Sequence, residues 1–159
     1  MKIYFAHPCF TEEQSEFKKQ FLEKISAALT QNGLSNDIYI IDPFENTLNV
    51  EGDIETKLIM AESIKIECIG LLEECDILIA LVDDNDTGTA FEAGYAHAVN
   101  KPVILISKYN CSKANAMLIG AAKAMIDNVL EDEQIERLVG LAKFFYETWR
   151  ASQKYPENN

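Results

Sequence analysis

The feature that most constrains this chain is a regular alternation between short, strand-like apolar runs and longer segments with helical periodicity. Parallel strands need a crossover connection, and that crossover is usually a helix, so this alternation is typical of a parallel sheet covered by helices. The sequence therefore predicts an α/β fold with a five-stranded parallel sheet. The five strand-like runs are Lys2–Ala6, Asp37–Asp42, Asp76–Val82, Pro102–Ser107 and Ala124–Val129.

Two of these runs indicate where the middle of the sheet lies. The segments Ile77–Val82 and Val103–Ile106 are apolar at every position, which is typical of strands covered by helices on both faces. This pattern predicts a doubly wound arrangement. A chain of 159 residues without repeats or a Gly/Ser-rich linker is expected to form a single domain over residues 1–159.

Helical patterns fill the intervals between the strands. The first begins at a capping box, in which Thr11 is followed three residues later by Gln14, and it stops near Gly33. The other predicted helices cover Ile54–Glu74, Thr89–Val99, Ala114–Gly120 and Asp132–Ser152.

Composition excludes several classes of function. A net charge of −12, from 14 basic and 26 acidic residues, disfavours binding to a nucleic-acid backbone. The sequence contains no run of about 18 apolar residues, so it predicts no membrane span. The start of the chain lacks the apolar core of a secretory signal. The four cysteines form no CxxC pair, so we expect free thiols, a reducing cytoplasm and no metal site. Neither GxGxxG nor GxxxxGK[ST] occurs, which predicts no dinucleotide or triphosphate cofactor.

Ligands of doubly wound sheets bind beyond the carboxyl ends of the strands, and the loop after the third strand is the richest such segment. Gly88 is expected to turn this loop into the third helix, which would place Glu92 in its first turn. There the helix dipole would keep the carboxylate ionised, as a nucleophile in a retaining glycoside transfer requires. An acidic residue in a first turn is also favoured for purely structural reasons.

Two neighbouring residues have competing interpretations. Asp86 could accept hydrogen bonds from sugar hydroxyls, or it could simply cap the third helix. Phe10, at the end of the first strand, could stack on a flat base or staple the first helix.

These segments resemble nucleoside 2-deoxyribosyltransferases. The resemblance runs from Ile3 to about Ile126 and is most specific in Asp86–Ala96 followed by Asn100–Leu105. It is supported by Ile3-Tyr4-Phe5 with Phe10-Thr11, and by the segment Asn115-Ala116-Met117 after the fourth strand.

The resemblance implies a flavodoxin-like fold, no metal or cofactor, and a role for each matched residue. Glu92 would be the nucleophile that carries the deoxyribosyl group, Tyr4 would orient it, and Asp86 would bind a sugar hydroxyl. Phe10 would pack on the nucleobase. Asn115 would reach the 5′-hydroxyl in a neighbouring subunit's site, which implies a homo-oligomer built from dimers, up to a hexamer, with shared active sites. Gly88 and Met117, which belong to the matching motifs, would line the substrate site.

The chain departs from the family pattern at one position of the second helix. The family usually has an aspartate eight residues before the aspartate that opens the third strand, and here that position is Cys68, next to Glu67. Cys68 shares an apolar face with Ile64, Leu72 and Cys75, which predicts a core residue. Glu67 could replace the carboxylate only after a shift of register by one residue. The long C-terminal helix and the tail after it also lack a family counterpart.

Transfer of the 2-deoxyribosyl group between nucleobases is thus the expected function, with deoxynucleosides and free nucleobases as partners. One alternative is hydrolysis of the N-glycosidic bond in deoxynucleosides or their 5′-monophosphates. Another is a nucleotide-sensing module without catalysis, which would not depend on Glu92. The sequence leaves the choice between purines and pyrimidines open, because the segments expected to set it, Pro43–Asn49 and the surroundings of Cys9, carry no decisive pattern.

Overall fold

The computed structural model describes residues 1–45 and 53–154. Strands and helices alternate along this part of the chain, as the sequence predicts. The elements are β1 (Lys2–Ala6), α1 (Glu12–Gln31), β2 (Tyr39–Ile41), α2 (Ile54–Glu74), β3 (Ile77–Leu81), α3 (Thr87–Ala98), β4 (Val103–Ile106), α4 (Ala116–Ala121), β5 (Ala124–Ile126) and α5 (Asp132–Lys154), with short 3-10 turns at Pro43–Glu45 and Cys111–Lys113.

The five strands form one parallel sheet in the order β2-β1-β3-β4-β5, which confirms the predicted fold class. The outer strands are shorter than predicted. β5 ends at Ile126 because Asn128 takes a left-handed conformation with φ of 50°, which turns the chain out of the sheet. The strand order changes direction between β1 and β3, and in doubly wound sheets ligands bind in the crevice at this point.

Two hydrophobic layers enclose the sheet because side chains alternate between its faces. On one face Ile3 and Phe5 of β1 pack with residues of α1 and α5, and on the other Tyr4 packs with residues of α2, α3 and α4. All five residues of β3 are buried, as the continuous apolar run predicts. No helix among the described residues is long and apolar enough to cross a membrane.

The predicted capping box opens α1 and also ties the helix to the neighbouring loop. The Thr11 side chain accepts a hydrogen bond from the Gln14 amide at 3.2 Å, and the Gln14 side chain accepts one from the Thr11 amide at 3.1 Å. The side-chain Nε2 atom of Gln14 also donates a hydrogen bond to Asp84 Oδ2 at 3.1 Å. The start of α1 is therefore fixed to the loop between β3 and α3.

Lys101 fixes the end of α2 from the loop before β4. Its ammonium group donates to the carbonyl oxygens of Leu72 and Glu73, each at 2.7 Å, and to that of Cys75. These carbonyls lie at the C-terminus of α2, where a positive charge also interacts favourably with the helix dipole. Lys101 thereby holds the last turns of α2 against the sheet and α3.

We expect Lys101→Met to lower the free energy of unfolding by about 2 kcal/mol, because partly buried carbonyls lose a charged hydrogen-bond donor. Urea denaturation measures this change. Lys123→Met is the matched control, since Lys123 is exposed and also precedes a strand. Equal stabilities of the two variants would show that Lys101 does not hold the end of α2.

Candidate active site

The loop between β3 and α3 brings the predicted acidic residues to the crevice. Asp86 is the N-cap of α3, and its Oδ2 atom accepts a hydrogen bond from the Thr89 amide at 2.7 Å. The turn before it is made by Asn85, whose φ is 49°, and not by Gly88 as predicted. Gly88 lies in the first turn of the helix, where a Cβ atom would approach Asp86 Oδ2 to 3.1 Å.

This start of α3 corrects the predicted position of Glu92. Because the helix begins at Thr87, two residues earlier than predicted, Glu92 lies in the second turn. It is therefore beyond the free amide groups of the first turn, where the helix dipole acts most strongly on a carboxylate.

Tyr4 and Glu92 meet between β1 and α3. The Tyr4 side chain is fully buried, and its hydroxyl donates to Glu92 Oε1 at 2.6 Å. Burial raises the pKa of Tyr4, and the neighbouring Glu92 carboxylate raises it further. Tyr4 thus stays protonated and serves as a permanent hydrogen-bond donor to Glu92.

Cys68 belongs to the same cluster, although the sequence predicts a core position for it. Cys68 is only half-buried, and its thiol interacts electrostatically with both Glu92 and Tyr4. Glu67 is exposed, so the second helix has not shifted its register to bring that carboxylate inward. The Cys68 thiol is no strong acid here, because burial and the charge of Glu92 raise its pKa.

The environment of Glu92 sets its protonation near neutral pH. Burial raises its pKa to about 7, the negative charge of Asp86 adds to this effect, and the hydrogen bonds from Tyr4 and Cys68 oppose it. The expectation that the helix dipole keeps this carboxylate ionised is therefore wrong, since the loss of solvation outweighs it. Below about pH 7 the group is mostly an acid, and above it a carboxylate.

Phe10 lies at the end of β1, and its ring is 69% exposed. It packs edge-on against Phe44 of the turn after β2, with ring centroids 5.6 Å apart. This contact gives Phe10 a partner that the sequence did not indicate. The predicted base-selectivity segment Pro43–Asn49 is described only as far as Glu45, and its residues 46–49 lie outside the described ranges.

Asn115 and Met117 lie at the start of α4, which packs beside α3. Asn115 is the N-cap of α4, where its Oδ1 atom accepts a hydrogen bond from the Met117 amide at 2.9 Å, and Met117 is 83% exposed. Both line a cavity of about 540 Å³ between α3 and α4 that also includes Asp86 but neither Glu92 nor Tyr4. Asn115 therefore faces a different space from the Glu92 carboxylate of its own chain.

The residues that the structure describes offer no candidate metal centre. Over residues 1–45 and 53–154, no three His, Cys, Asp or Glu residues come together in a way that could hold a metal ion. The arrangement around Glu92 is suited to nucleophilic and acid–base chemistry by the carboxyl group itself.

We expect Glu92→Gln to change how stability depends on pH. Between the unfolded pKa of a glutamic acid, about 4.3, and the folded value of about 7, the folded protein holds a proton that the unfolded chain releases. The stability of the unmodified protein therefore falls as pH rises through this window, by up to about 3 kcal/mol, whereas the variant lacks this loss. Urea denaturation at pH 4.5 and 8 should show the variant gaining relative stability at pH 8.

Glu62→Gln is the control for this measurement, because Glu62 is exposed on α2. Parallel pH dependences of Glu92→Gln and the unmodified protein would contradict the burial of the Glu92 charge.

Comparison with known proteins gives one family. A sequence model described as nucleoside 2-deoxyribosyltransferase matches residues 3–135. The structure is similar to that of a 2-deoxyribosyltransferase from Bacillus psychrosaccharolyticus, with 28% identity, a TM-score of 0.60, and coverage of 86% of this chain and 90% of that one. No curated protein sequence matches significantly.

Two structures with lower sequence identity share the fold. A conserved protein from Enterococcus faecalis V583 has 19% identity and a TM-score of 0.64, over 89% of this chain and 98% of that one. The CMP N-glycosidase of Clostridium botulinum has 18% identity and a TM-score of 0.55, over 89% and 99% of the two chains. With the match over residues 3–135, the chain belongs to the nucleoside 2-deoxyribosyltransferase family.

Proposed function

We propose that this protein transfers the 2-deoxyribosyl group between nucleobases through a covalent intermediate on Glu92, a reaction that serves nucleotide salvage. The observation that carries the proposal is the setting of the Glu92 carboxyl group. It is largely removed from water, it is held by Tyr4 at 2.6 Å, and its pKa is about 7. A carboxylate in such a setting is reactive yet still available in quantity at neutral pH.

In the first half of the reaction, an ionised Glu92 oxygen attacks C1′ of the deoxynucleoside. The C1′–N bond breaks, its electron pair leaves with the base, and the base takes up a proton. The product is a deoxyribosyl ester of Glu92 and a free nucleobase. In the second half, a nitrogen of another base attacks C1′, loses its proton, and releases the Glu92 carboxylate.

Tyr4 and Asp86 support these steps in different ways. The hydroxyl of Tyr4 holds Oε1, so that Oε2 is the oxygen directed towards the sugar. Asp86 uses Oδ2 to cap α3, which leaves Oδ1 to accept a hydrogen bond from a sugar hydroxyl. Because Gly88 has no side chain, it leaves the Asp86 carboxylate accessible.

The position of Asn115 supports a site shared between subunits. The cavity that Asn115 and Met117 line does not include Glu92 of the same chain, which favours a role for these two residues in the site of a neighbour. We therefore propose a homo-oligomer built from dimers, up to a hexamer, in which Asn115 binds the 5′-hydroxyl in the partner's site.

Hydrolysis is the second candidate, because water can attack the same ester in place of a base. A 5′-monophosphate is the less favoured substrate, since the stretch from Asp83 to Ala98 contains no Lys or Arg and Asp83, Asp84 and Asp86 would repel a phosphate. A sensing module without catalysis would not need a carboxylate that is costly to bury.

We expect thymidine and free adenine to yield deoxyadenosine when mixed with the protein. Glu92→Ala should abolish this exchange by at least about three orders of magnitude, since it removes the nucleophile. The activity of the unmodified protein should also decline below pH 7, because protonated Glu92 cannot attack. Chromatography of the bases and nucleosides measures both results, and mass spectrometry of the denatured protein should detect the deoxyribosyl ester.

The outcomes of this assay separate the candidate functions. Free thymine without deoxyadenosine would show a hydrolase, and a higher kcat/KM for thymidine monophosphate than for thymidine would show a nucleotide hydrolase. Full activity of Glu92→Ala would overturn the mechanism.

We expect Glu92→Ala and Asn115→Ala to complement each other. Each variant alone should be nearly inactive, but a mixed dimer contains one site in which both residues are intact. Activity should therefore rise above that of either variant when the two are mixed under conditions of subunit exchange. Fluorescence transfer between labelled subunits is the control for exchange, and exchange without recovered activity would show that each chain completes its own site.

A further inference from the structure

A buried cluster of charged side chains lies behind the aromatic rings at the ends of β1 and β2. His7 is 3% exposed and Asp42 is 4% exposed, so both have been removed from water. Asp42 Oδ1 lies 3.2 Å from His7 Nε2, and Asp42 Oδ2 lies 3.0 Å from the Nζ atom of Lys18 on α1. Burial alone would raise the pKa of Asp42, but the hydrogen bonds from His7 and Lys18 lower it, so the group is a carboxylate.

The ring of His7 is fixed in its plane by this cluster. Its Nδ1 atom lies 3.0 Å from the carbonyl oxygen of Pro8, while its Nε2 atom faces Asp42. Both ring nitrogens therefore have an oxygen partner, which fixes the orientation of the ring. The ring also stacks on Phe5, with centroids 4.3 Å apart, which fixes it against the core of the sheet.

The cluster continues outward to the aromatic pair of the candidate site. Asp42 Oδ1 accepts a hydrogen bond from the Phe44 amide at 2.9 Å, and the Phe44 ring packs on His7 with centroids 5.1 Å apart. Phe10 packs in turn against Phe44. The exposed ring of Phe10 is therefore connected to the core through Phe44 and His7.

We propose that His7, Asp42 and Lys18 are positioning residues that hold Phe44 and Phe10 as the wall against which the nucleobase stacks. This inference rests on the proposed function and on the expectation that Phe10 packs on the nucleobase. None of the three positioning residues touches the reacting atoms, so they should affect the binding and choice of the base and not the attack by Glu92.

The energetics favour a positioning role over a purely stabilising one. Burying ionic groups costs desolvation energy, and apolar residues of similar volume often stabilise a fold as well or better. An ionic cluster has strict geometry, however, and each of its members holds a different segment: His7 the end of β1, Asp42 the turn after β2, and Lys18 the helix α1. It therefore fixes the relative position of the segments that carry Phe10 and Phe44.

The test uses His7→Phe, which keeps a flat ring for stacking and removes both ring nitrogens. We expect the KM for deoxyadenosine and the dissociation constant for free adenine to rise on the order of tenfold, the effect of one charged hydrogen bond, while kcat changes less than about twofold. The ratio of kcat/KM for deoxyadenosine and thymidine should change as well. Calorimetry measures adenine binding without any turnover.

Lys18→Met is the second variant, because Lys18 is 23% exposed at its side chain and its replacement leaves the rings in place. It should change the same quantities in the same direction. Lys24→Met is the matched control, since Lys24 also lies on α1 and pairs with an aspartate, Asp132, away from the aromatic pair. Circular dichroism establishes that each variant is folded, and if His7→Phe is not, Lys18→Met decides the question alone.

Suppose that the unmodified protein is active and that the variants are folded. If the variants then keep the KM, the adenine affinity and the base preference of the unmodified protein, this inference is overturned and the proposed function stays intact. An equal loss in Lys24→Met would overturn it too, because the effect would then not depend on the cluster. If the unmodified protein neither binds adenine nor converts deoxyadenosine, the proposed function fails and this inference fails with it.

Discussion

The hydrogen bond from Tyr4 to Glu92 connects the centre of the sheet to the helix that carries the candidate nucleophile. Tyr4 has no freedom to move, because β1 is paired with β2 and β3 and its side chain is buried under α2 and α3. The bond length of 2.6 Å therefore fixes the carboxyl group in relation to the whole sheet. Two helices meet at this contact: α3, which begins after its N-cap Asp86, supplies Glu92, and α2 brings Cys68 to the same place.

The central sheet and its helices could be predicted from the sequence because they depend on periodicity, which local residues determine. The uninterrupted apolar run of β3 and the capping box at Thr11 each appear as predicted. The failures concern properties that depend on neighbours distant in sequence. The pKa of Glu92 depends on burial by other elements and on Asp86, so a dipole argument confined to α3 gave the wrong direction. Likewise, the chain turns at Asn85, so α3 begins two residues earlier than predicted and Glu92 lies in its second turn.

The position of Cys68 also depends on residues that are distant in sequence. Its spacing from Leu72 and Cys75 correctly places it on the inward face of α2, and on that face the sequence predicts a core residue. Only the packing of α2 on α3 shows that this part of the face meets Tyr4 and Glu92. His7 was not among the predicted site residues, and Phe44 was included only as part of the segment Pro43–Asn49, because a single aromatic or histidine residue has no distinctive pattern. The signal that could have indicated them is their position, since His7 directly follows β1 and Phe44 lies in the turn after β2, at the edge where ligands bind.

Contacts in other parts of the fold offset the cost of burying the Glu92 carboxyl group. A carboxyl group whose pKa is raised by burial destabilises the fold at neutral pH, and the acidic loop beside it adds repulsion. Lys101 holds the end of α2 at the opposite edge of the sheet, and Lys18 compensates Asp42. Gln14, bonded to Asp84, joins the acidic loop to α1. The strained electrostatics of Glu92 are thus tolerated because the elements around it are tied together by contacts that do not involve the reacting group.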